Sequence, residues 1–203
     1  MIQLVRHGST QANEARLIQG RSLDLNLSSL GFQQADALAA CIAAGQRPER
    51  VITSPLKRAR QTASVIAKAC ACEIIEDERL IELDYGDWDG TPLAEVPPSF
   101  WAAWRSDIDF APPGGESLGS VARRMHEALK EHAAGEAPLV LVSHVAPIKA
   151  AVAAVLAAPP ESVWNMFLDT ASITKCRRRP RRDDSEFALT LASYNDTAHV
   201  RAL

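Results

Sequence analysis

Four short apolar runs punctuate the chain: Ile2-Gln3-Leu4-Val5, Val51-Ile52-Thr53, Ile74-Ile75 and Leu139-Val140-Leu141-Val142. Between them, apolar positions recur every three or four residues, the period of a helix with one buried face. Phe32, Ala35, Leu38, Ala39 and Ile42 trace such a face, on a helix that Ser28 or Ser29 caps and Gly45 ends. A second helix is predicted over 56–69. A third opens at Ser117, with Leu118, Val121, Met125 and Leu129 on one side. The unbroken Leu139–Val142 run reads as a central strand covered on both faces. A helix from about Pro147 to Ala157 follows it, since proline is tolerated in a first turn. Ser172 to Arg178 and Phe187 to Ser193 predict a closing strand pair around a charged loop. Repeated strand–helix units imply the α/β class: a three-layer α-β-α arrangement around a mostly parallel sheet, with one antiparallel strand expected at its edge.

Residues 84–116 break this rhythm. They carry three of the chain's four tryptophans, a cluster of prolines and mostly acidic charge, and they predict a cap inserted into one domain spanning 1–203, with a short helix near 99–105. A chain of 203 residues is long enough for one substantial core. A formal net charge of −3 gives no global electrostatic case for nucleic acid or an anionic membrane. No apolar run approaches the ~20 residues of a membrane span, and Met1 leads straight into a strand, so a cytoplasmic location is expected. Cys41, Cys70, Cys72 and Cys176 lack paired zinc spacing; Cys41 and Cys70 fall among alanines in helical patterns and read as small buried apolar groups.

The chemistry lies at the ends of strands. Val5 leads into Arg6, His7 and Gly8, and Val142-Ser143 leads into His144. In open α/β sheets the ligand site lies beyond the carboxyl ends of the strands, so these two histidines are expected in one crevice. The strand ending at Thr53 feeds a helix whose first turn carries Lys57, Arg58 and Arg60, one of which can return an arginine to the same place. Two arginines and two histidines suit a dense oxyanion, phosphate above all. Gly8 would let the backbone approach the ligand, and the helix start after His144 would add oriented N–H groups. Arg6 beside His7 would repel a cation, and neither HxH nor HExxH spacing occurs, so no metal is expected.

Arg6-His7-Gly8-Ser9-Thr10, Asn13, and Arg16 with Gln19-Gly20 together resemble the signature of the histidine phosphatase superfamily, the phosphoglycerate-mutase-like proteins. The resemblance continues through Leu27, Ser28, Gly31 and Gln33-Gln34-Ala35, then Ser54-Pro55-Leu56-Lys57-Arg58-Ala59 with Gln61-Thr62-Ala63. It extends to Leu80, Glu82, Gly86, Trp88 and Gly90, to Pro113-Gly114-Gly115-Glu116-Ser117, to Val142-Ser143-His144 and to Tyr194-Asn195-Asp196-Thr197-Ala198-His199. It implies that His7 attacks phosphorus and carries a phosphohistidine, while Arg6, Arg58 and His144 surround the transferring group. Asn13 would donate a further hydrogen bond, Gln19 and Thr10 would be secondary contacts, and Glu82 would be the general acid and base. Its neighbour Asp84 competes for that role, and motif register favours Glu82. One departure stands out: where many relatives follow the second histidine with glycines, this chain has Val145-Ala146-Pro147.

The family divides into mutases and phosphatases. A mutase must hold a bisphosphate, yet residues 84–116 contain a single cation, Arg105, against Asp84, Asp87, Asp89, Glu95, Asp107, Asp109 and Glu116. A second phosphate there would meet repulsion. Trp88, Phe100, Trp101, Trp104 and Phe110 can instead wall the site or anchor the insertion to the core. A phosphatase acting on a small-molecule phosphate monoester is the expectation, without cofactor, metal, nucleic-acid or membrane partner, and with a homodimer left open. A phosphoglycerate mutase and a non-catalytic phosphate-binding relative are the alternatives. The run Arg177-Arg178-Arg179-Pro180-Arg181-Arg182 is followed at once by Asp183 and Asp184 and reads as a solvated hairpin tip. His126 and His132 read as surface residues and His199 as a structural hydrogen bonder.

Overall fold

In the computed structural model, residues 1–179 and 189–203 are described. Among them, six strands form one sheet in the order β3-β2-β4-β1-β5-β6. They are β1 (Ile2–Arg6), β2 (Arg50–Thr53), β3 (Glu73–Glu76), β4 (Leu139–Ser143), β5 (Ile173–Arg178) and β6 (Leu189–Asp196). The period-two alternation of side chains splits each central strand between two cores. Ile2 and Leu4 of β1, Ile52 of β2 and Leu139 and Leu141 of β4 face one side, packing with Met125, Leu129 and Ile148. Val5, Val51, Val140 and Val142 face the other, packing with Leu38, Ile42, Ala63 and Ile66. Helices α2 (Ser29–Ala44) and α3 (Lys57–Cys70) cover this second face; α5 (Leu118–Ala133) and α6 (Val145–Val155) cover the first. This is the three-layer α-β-α architecture that the sequence pattern predicts.

Strands β1 to β4 run parallel, and β5 is antiparallel to both β1 and β6. The one reversed strand therefore lies one position in from the edge, covered by β6. At the opposite edge β3 exposes Ile74 and Ile75, and the flanking Glu73 and Glu76 discourage pairing with another chain. Of the closing pair, Phe187 and the segment Pro180–Glu186 lie outside the described residues.

Serine caps set the starts of two of the covering helices. Ser28 accepts the Gly31 N–H at the start of α2, and Ser117 accepts the Ser120 N–H at the start of α5. The predicted helix at 99–105 is α4 (Pro98–Ser106). Within 84–116, Phe100, Trp101, Trp104 and Phe110 form ring contacts with one another, and Trp104 also meets Trp164 edge-on at 5.6 Å. Trp104 is buried, so much of this aromatic content anchors the segment to the α5–α6 core. Cys41 departs from its expected burial: it falls on the outward side of α2, whose core face is Ala35, Leu38, Ala39 and Ile42. His126 and His132 are half-buried, and His132 Nε2 pairs with Asp77 Oδ2 at 2.8 Å. No helix among the described residues is long and apolar enough to cross a membrane.

One packing contact sets the loop after β1. A methyl group on Gly31 would overlap the Ser9 carbonyl oxygen, and one on Gly8 would overlap the Gly31 carbonyl oxygen. Gly8 is therefore needed so that α2 can press on the loop. Gly31→Ala should lower the unfolding free energy by about 1–3 kcal/mol, the usual cost of overpacking, as a shift of the urea midpoint at unchanged slope.

Candidate active site

The loop after β1, the first turn of α3 and the N-terminus of α6 meet at the carboxyl ends of β1, β2 and β4. Arg58, fully buried, projects its Nε to 3.2 Å from His7 Nε2 and to 3.2 Å from His144 Nδ1. One N–H is thus shared between two imidazoles whose ring centres are 5.0 Å apart. The rest of the guanidinium is fixed by carbonyls: Nη2 donates to Gly20 O at 2.8 Å, and Nη1 points to Leu23 O at 3.4 Å.

The partners fix the tautomers. His7 Nδ1 lies 2.7 Å from the Gly8 carbonyl, which can only accept, so Nδ1 carries the hydrogen and Nε2 keeps its lone pair. His144 Nδ1 faces the Arg58 donor, so its hydrogen sits on Nε2 and is donated to Ser54 Oγ at 2.8 Å. Burial, followed by the Arg58 and Arg6 charges, pushes the His7 pKa well below the usual imidazole range. Burial, followed by Arg58 and then His7, does the same to His144. Both rings are neutral at physiological pH. Burial also brings Arg58 down, to about 10, where it remains charged.

Arg6 ends β1. Its Nη1 donates to Leu168 O at 2.7 Å, while its Nε is buried without a protein partner, a donor left over for an anion. Glu82 is buried. Its Oε1 accepts the Leu83 and Ala146 N–H groups, at 2.8 and 3.2 Å, and Oε2 accepts the Val145 N–H at 3.1 Å. The α6 N-terminus, expected to offer its N–H groups to a ligand, is therefore occupied by this carboxylate. Pro147 at the third helical position has no N–H, so Val145 and Ala146 supply what the helix start has to give. The departure from glycine is accommodated without cost to the helix.

A cleft of about 670 Å³ opens over this centre, with Arg6, His7, Asn13, Gln19 and Glu82 in its walls. Asn13 Oδ1 accepts from the Thr10 N–H at 3.1 Å, which leaves its amide NH2 as the end available to a ligand. Thr10 is fully buried: it caps α1 (Gln11–Glu14), and its hydroxyl donates to Gln19 Oε1 at 2.8 Å. It positions Asn13 and Gln19 and is not itself part of the cleft wall. Asp84 accepts the Gly86 N–H at 2.9 Å and stays outside the cleft lining, whereas Glu82 lies within it.

Several contributors were not singled out from sequence. Arg124 grips Glu116 with two donors, each at 3.0 Å, and donates to Glu82 O at 3.2 Å; Arg21 Nε donates to the same carbonyl at 2.8 Å. Thr62 receives the Gly8 N–H at 3.1 Å and donates to Arg58 O at 2.8 Å, linking the two strand-end loops. Tyr85, Phe167 and Asp169 complete the cleft, and burial with the nearby Glu82 charge raises the Tyr85 pKa, keeping its hydroxyl neutral. Their side chains are ordinary in sequence, and partners such as Glu116, which precedes the Ser117 cap, and Arg124, two turns into α5, stand at no spacing that signals a pair. Among the described residues no three His, Cys, Asp or Glu side chains cluster so as to hold a metal ion.

The family model of the histidine phosphatase superfamily (branch 1) matches residues 2–189. The chain belongs to this superfamily. A mycobacterial glucosyl-3-phosphoglycerate phosphatase in complex with VO3 superposes with a TM-score of 0.85 at 32% identity, covering 96% of this chain and 98% of the other. A probable phosphoglycerate mutase of Yersinia enterocolitica is 36% identical over 97% of this chain and 93% of its own length. A bifunctional protein of Mycobacterium tuberculosis is 35% identical over 84% of this chain; the match spans about half, 48%, of that longer protein. Phosphatase- and mutase-named members thus share this histidine phosphatase fold.

Two buried neutral imidazoles make folding sensitive to acid. An unfolded histidine protonates near pH 6.5, whereas His7 and His144 resist protonation in the fold, so the unfolded chain binds more protons as pH falls. Stability should decline below about pH 6.5, by up to ~1.4 kcal/mol per pH unit for each of the two rings. Urea midpoints between about pH 7 and pH 5 should show this slope, and His144→Gln should reduce it.

Proposed function

We propose that this protein is a metal-independent phosphatase that hydrolyses phosphate monoesters through a phosphohistidine on His7, with Glu82 as general acid and base. The observation that carries the reading is the meeting of His7 Nε2, His144 Nδ1 and the Arg58 N–H beneath the floor of a cleft that also holds Arg6 and Glu82. An incoming phosphoryl group takes over the Arg58 N–H that now covers the nucleophile. The unpartnered Arg6 Nε and the Asn13 NH2 supply further donors to its equatorial oxygens. Those oxygens keep their charge throughout the reaction, and fixed guanidiniums suit them.

In the first step the His7 Nε2 lone pair forms the N–P bond as the P–O bond to the alcohol breaks, and Glu82 gives the departing oxygen a proton. Oε1 already accepts two N–H groups and Oε2 one, so Oε2 has the lone pair that can carry this proton. In the second step Glu82 takes a proton from water, the new O–P bond forms, and the N–P bonding pair returns to Nε2. The products are an alcohol and inorganic phosphate. Protonating a poor alkoxide leaving group is worth roughly 10²–10⁴ in rate.

A phosphoglycerate mutase is the second reading. Arg16, an additional cation in the cleft wall, favours it; against it, residues 84–116 bring only Tyr85, Leu93 and Trp101 to that wall and no cation for a second phosphate. Incubation of 3-phosphoglycerate with catalytic bisphosphate separates the two, since a mutase yields the isomer and a phosphatase yields free phosphate.

His7→Ala should abolish turnover and the acid-labile phosphoenzyme trapped by rapid quench from labelled substrate. Glu82→Gln should slow alkyl esters by roughly 10²–10⁴ and aryl esters with good leaving groups much less. Equal slowing of both classes would remove the acid role from Glu82. Activity should persist in EDTA; a loss restored by added divalent cation would remove metal independence from the proposal.

A further inference from the structure

Two residues of the cleft wall come from one short segment beside the centre. Phe167 and Asp169 both line the cleft, while Leu168 between them is buried in the core, as expected of extended chain in which neighbouring side chains alternate. The segment is clamped to the centre on both sides. Leu168 O accepts from Arg6 Nη1 at 2.7 Å, and the Ala171 N–H donates to His7 O at 3.0 Å. Side chains at 167 and 169 are therefore held in fixed relation to the phosphate donors.

Their chemistry is specific. Phe167 is 72% exposed, a large apolar face offered to the cleft with little to cover it. Asp169 is oriented by a reciprocal pair with Asn195, whose Oδ1 accepts the Asp169 N–H at 2.8 Å and whose Nδ2 donates to Asp169 Oδ2 at 3.1 Å. Asn195 adopts a left-handed backbone conformation, φ 53°, to present both ends of its amide. Among the described residues no hydrogen bond reaches Asp169 Oδ1, so a residue of the cleft wall keeps one carboxylate oxygen free to accept. A carboxylate there repels a second carboxylate and welcomes hydroxyl donors. An exposed aromatic face beside it covers the apolar side of a ring.

We propose that Phe167 and Asp169 form the leaving-group subsite, and that they select phosphate esters of a hydroxyl-bearing ring, such as a sugar or ribosyl phosphate, over esters of hydroxy acids. The inference rests on the phosphatase reading and specifies the alcohol that the reaction releases. Glu14 also lines the cleft and accepts the Ser28 and Ser9 hydroxyls on Oε1 alone, so it is the place of Asp169 beside the exposed Phe167, not a freer oxygen, that singles Asp169 out. Arg16 is the one cation in the outer cleft that would argue for a carboxylate instead.

The test is a panel of glucose 6-phosphate, ribose 5-phosphate, phosphoethanolamine and 3-phosphoglycerate, followed as phosphate release. The wild-type protein should prefer the two ring esters to 3-phosphoglycerate by roughly tenfold or more in kcat/KM. Asp169→Asn, which keeps the shape and the pairing with Asn195, should reduce that ratio by about tenfold, and Phe167→Ala should raise KM for the ring esters roughly three- to tenfold. A wild-type preference for 3-phosphoglycerate would overturn the proposal and give the subsite to Arg16. A preference for phosphoethanolamine would overturn it as well, since Asp169 would then read an ammonium group. A ratio unmoved by Asp169→Asn would remove Asp169 from the subsite. Absence of phosphate release from every ester, p-nitrophenyl phosphate included, would defeat the phosphatase reading itself, whereas release from p-nitrophenyl phosphate without the ring preference would defeat the subsite alone.

Discussion

A single N–H shared by two imidazoles organises this protein. Arg58 is fully buried, which for a guanidinium is costly unless its donors are satisfied. The chain meets that cost with the carbonyls of Gly20 and Leu23 on one side and the lone pairs of His7 and His144 on the other. Those lone pairs exist only while both rings are neutral, and the buried arginine charge is one of the forces that keeps them so. Charge and neutrality are mutually supporting. The same arrangement that makes Arg58 tolerable in the interior leaves His7 Nε2 a nucleophile.

Around this centre the fold builds a hierarchy of support. Glu82 has its carboxylate on the α6 N-terminus and its carbonyl under Arg21 and Arg124, which both pair with Glu116. Glu116 thus counts among the acids of the inserted segment in composition, yet in space it neutralises two arginines and does not face substrate. The aromatic residues of the segment divide in a similar way: Trp104 is buried against α5 and α6, while Trp101 and Tyr85 reach the cleft wall. Positioning and substrate contact are carried by neighbouring residues of one stretch of chain.

Local features of the sequence carried most of the architecture. The four-residue apolar run at 139–142 read as a doubly covered strand and the three-to-four spacing of Ala35, Leu38, Ala39 and Ile42 as a helix face, because both signals arise within one element; Phe32, placed on that face by the same spacing, is instead exposed. Ser28 and Ser117 announced helix starts for the same reason. The place of β5 beside the edge was not legible, because strand order is decided by long-range pairing. Nor was the purpose of Gly8, whose neighbour Gly31 is distant in sequence and touches it only once α2 has docked.

For the site, the sequence by itself determined which side chains stand at the ends of strands: Arg6, His7 and His144 follow β1 and β4, and strand ends in a parallel sheet share one edge. It also determined that the Arg58 turn begins beside that edge. Only the tertiary structure decided what each group faces. It gave the α6 N-terminus to Glu82, turned Thr10 inward as a cap, and brought Asp169 into the cleft wall. Hydrogen-bond partners so far apart along the chain are chosen by packing, since orientation to within a few tenths of an ångström is a property of the assembled layers and of no single segment.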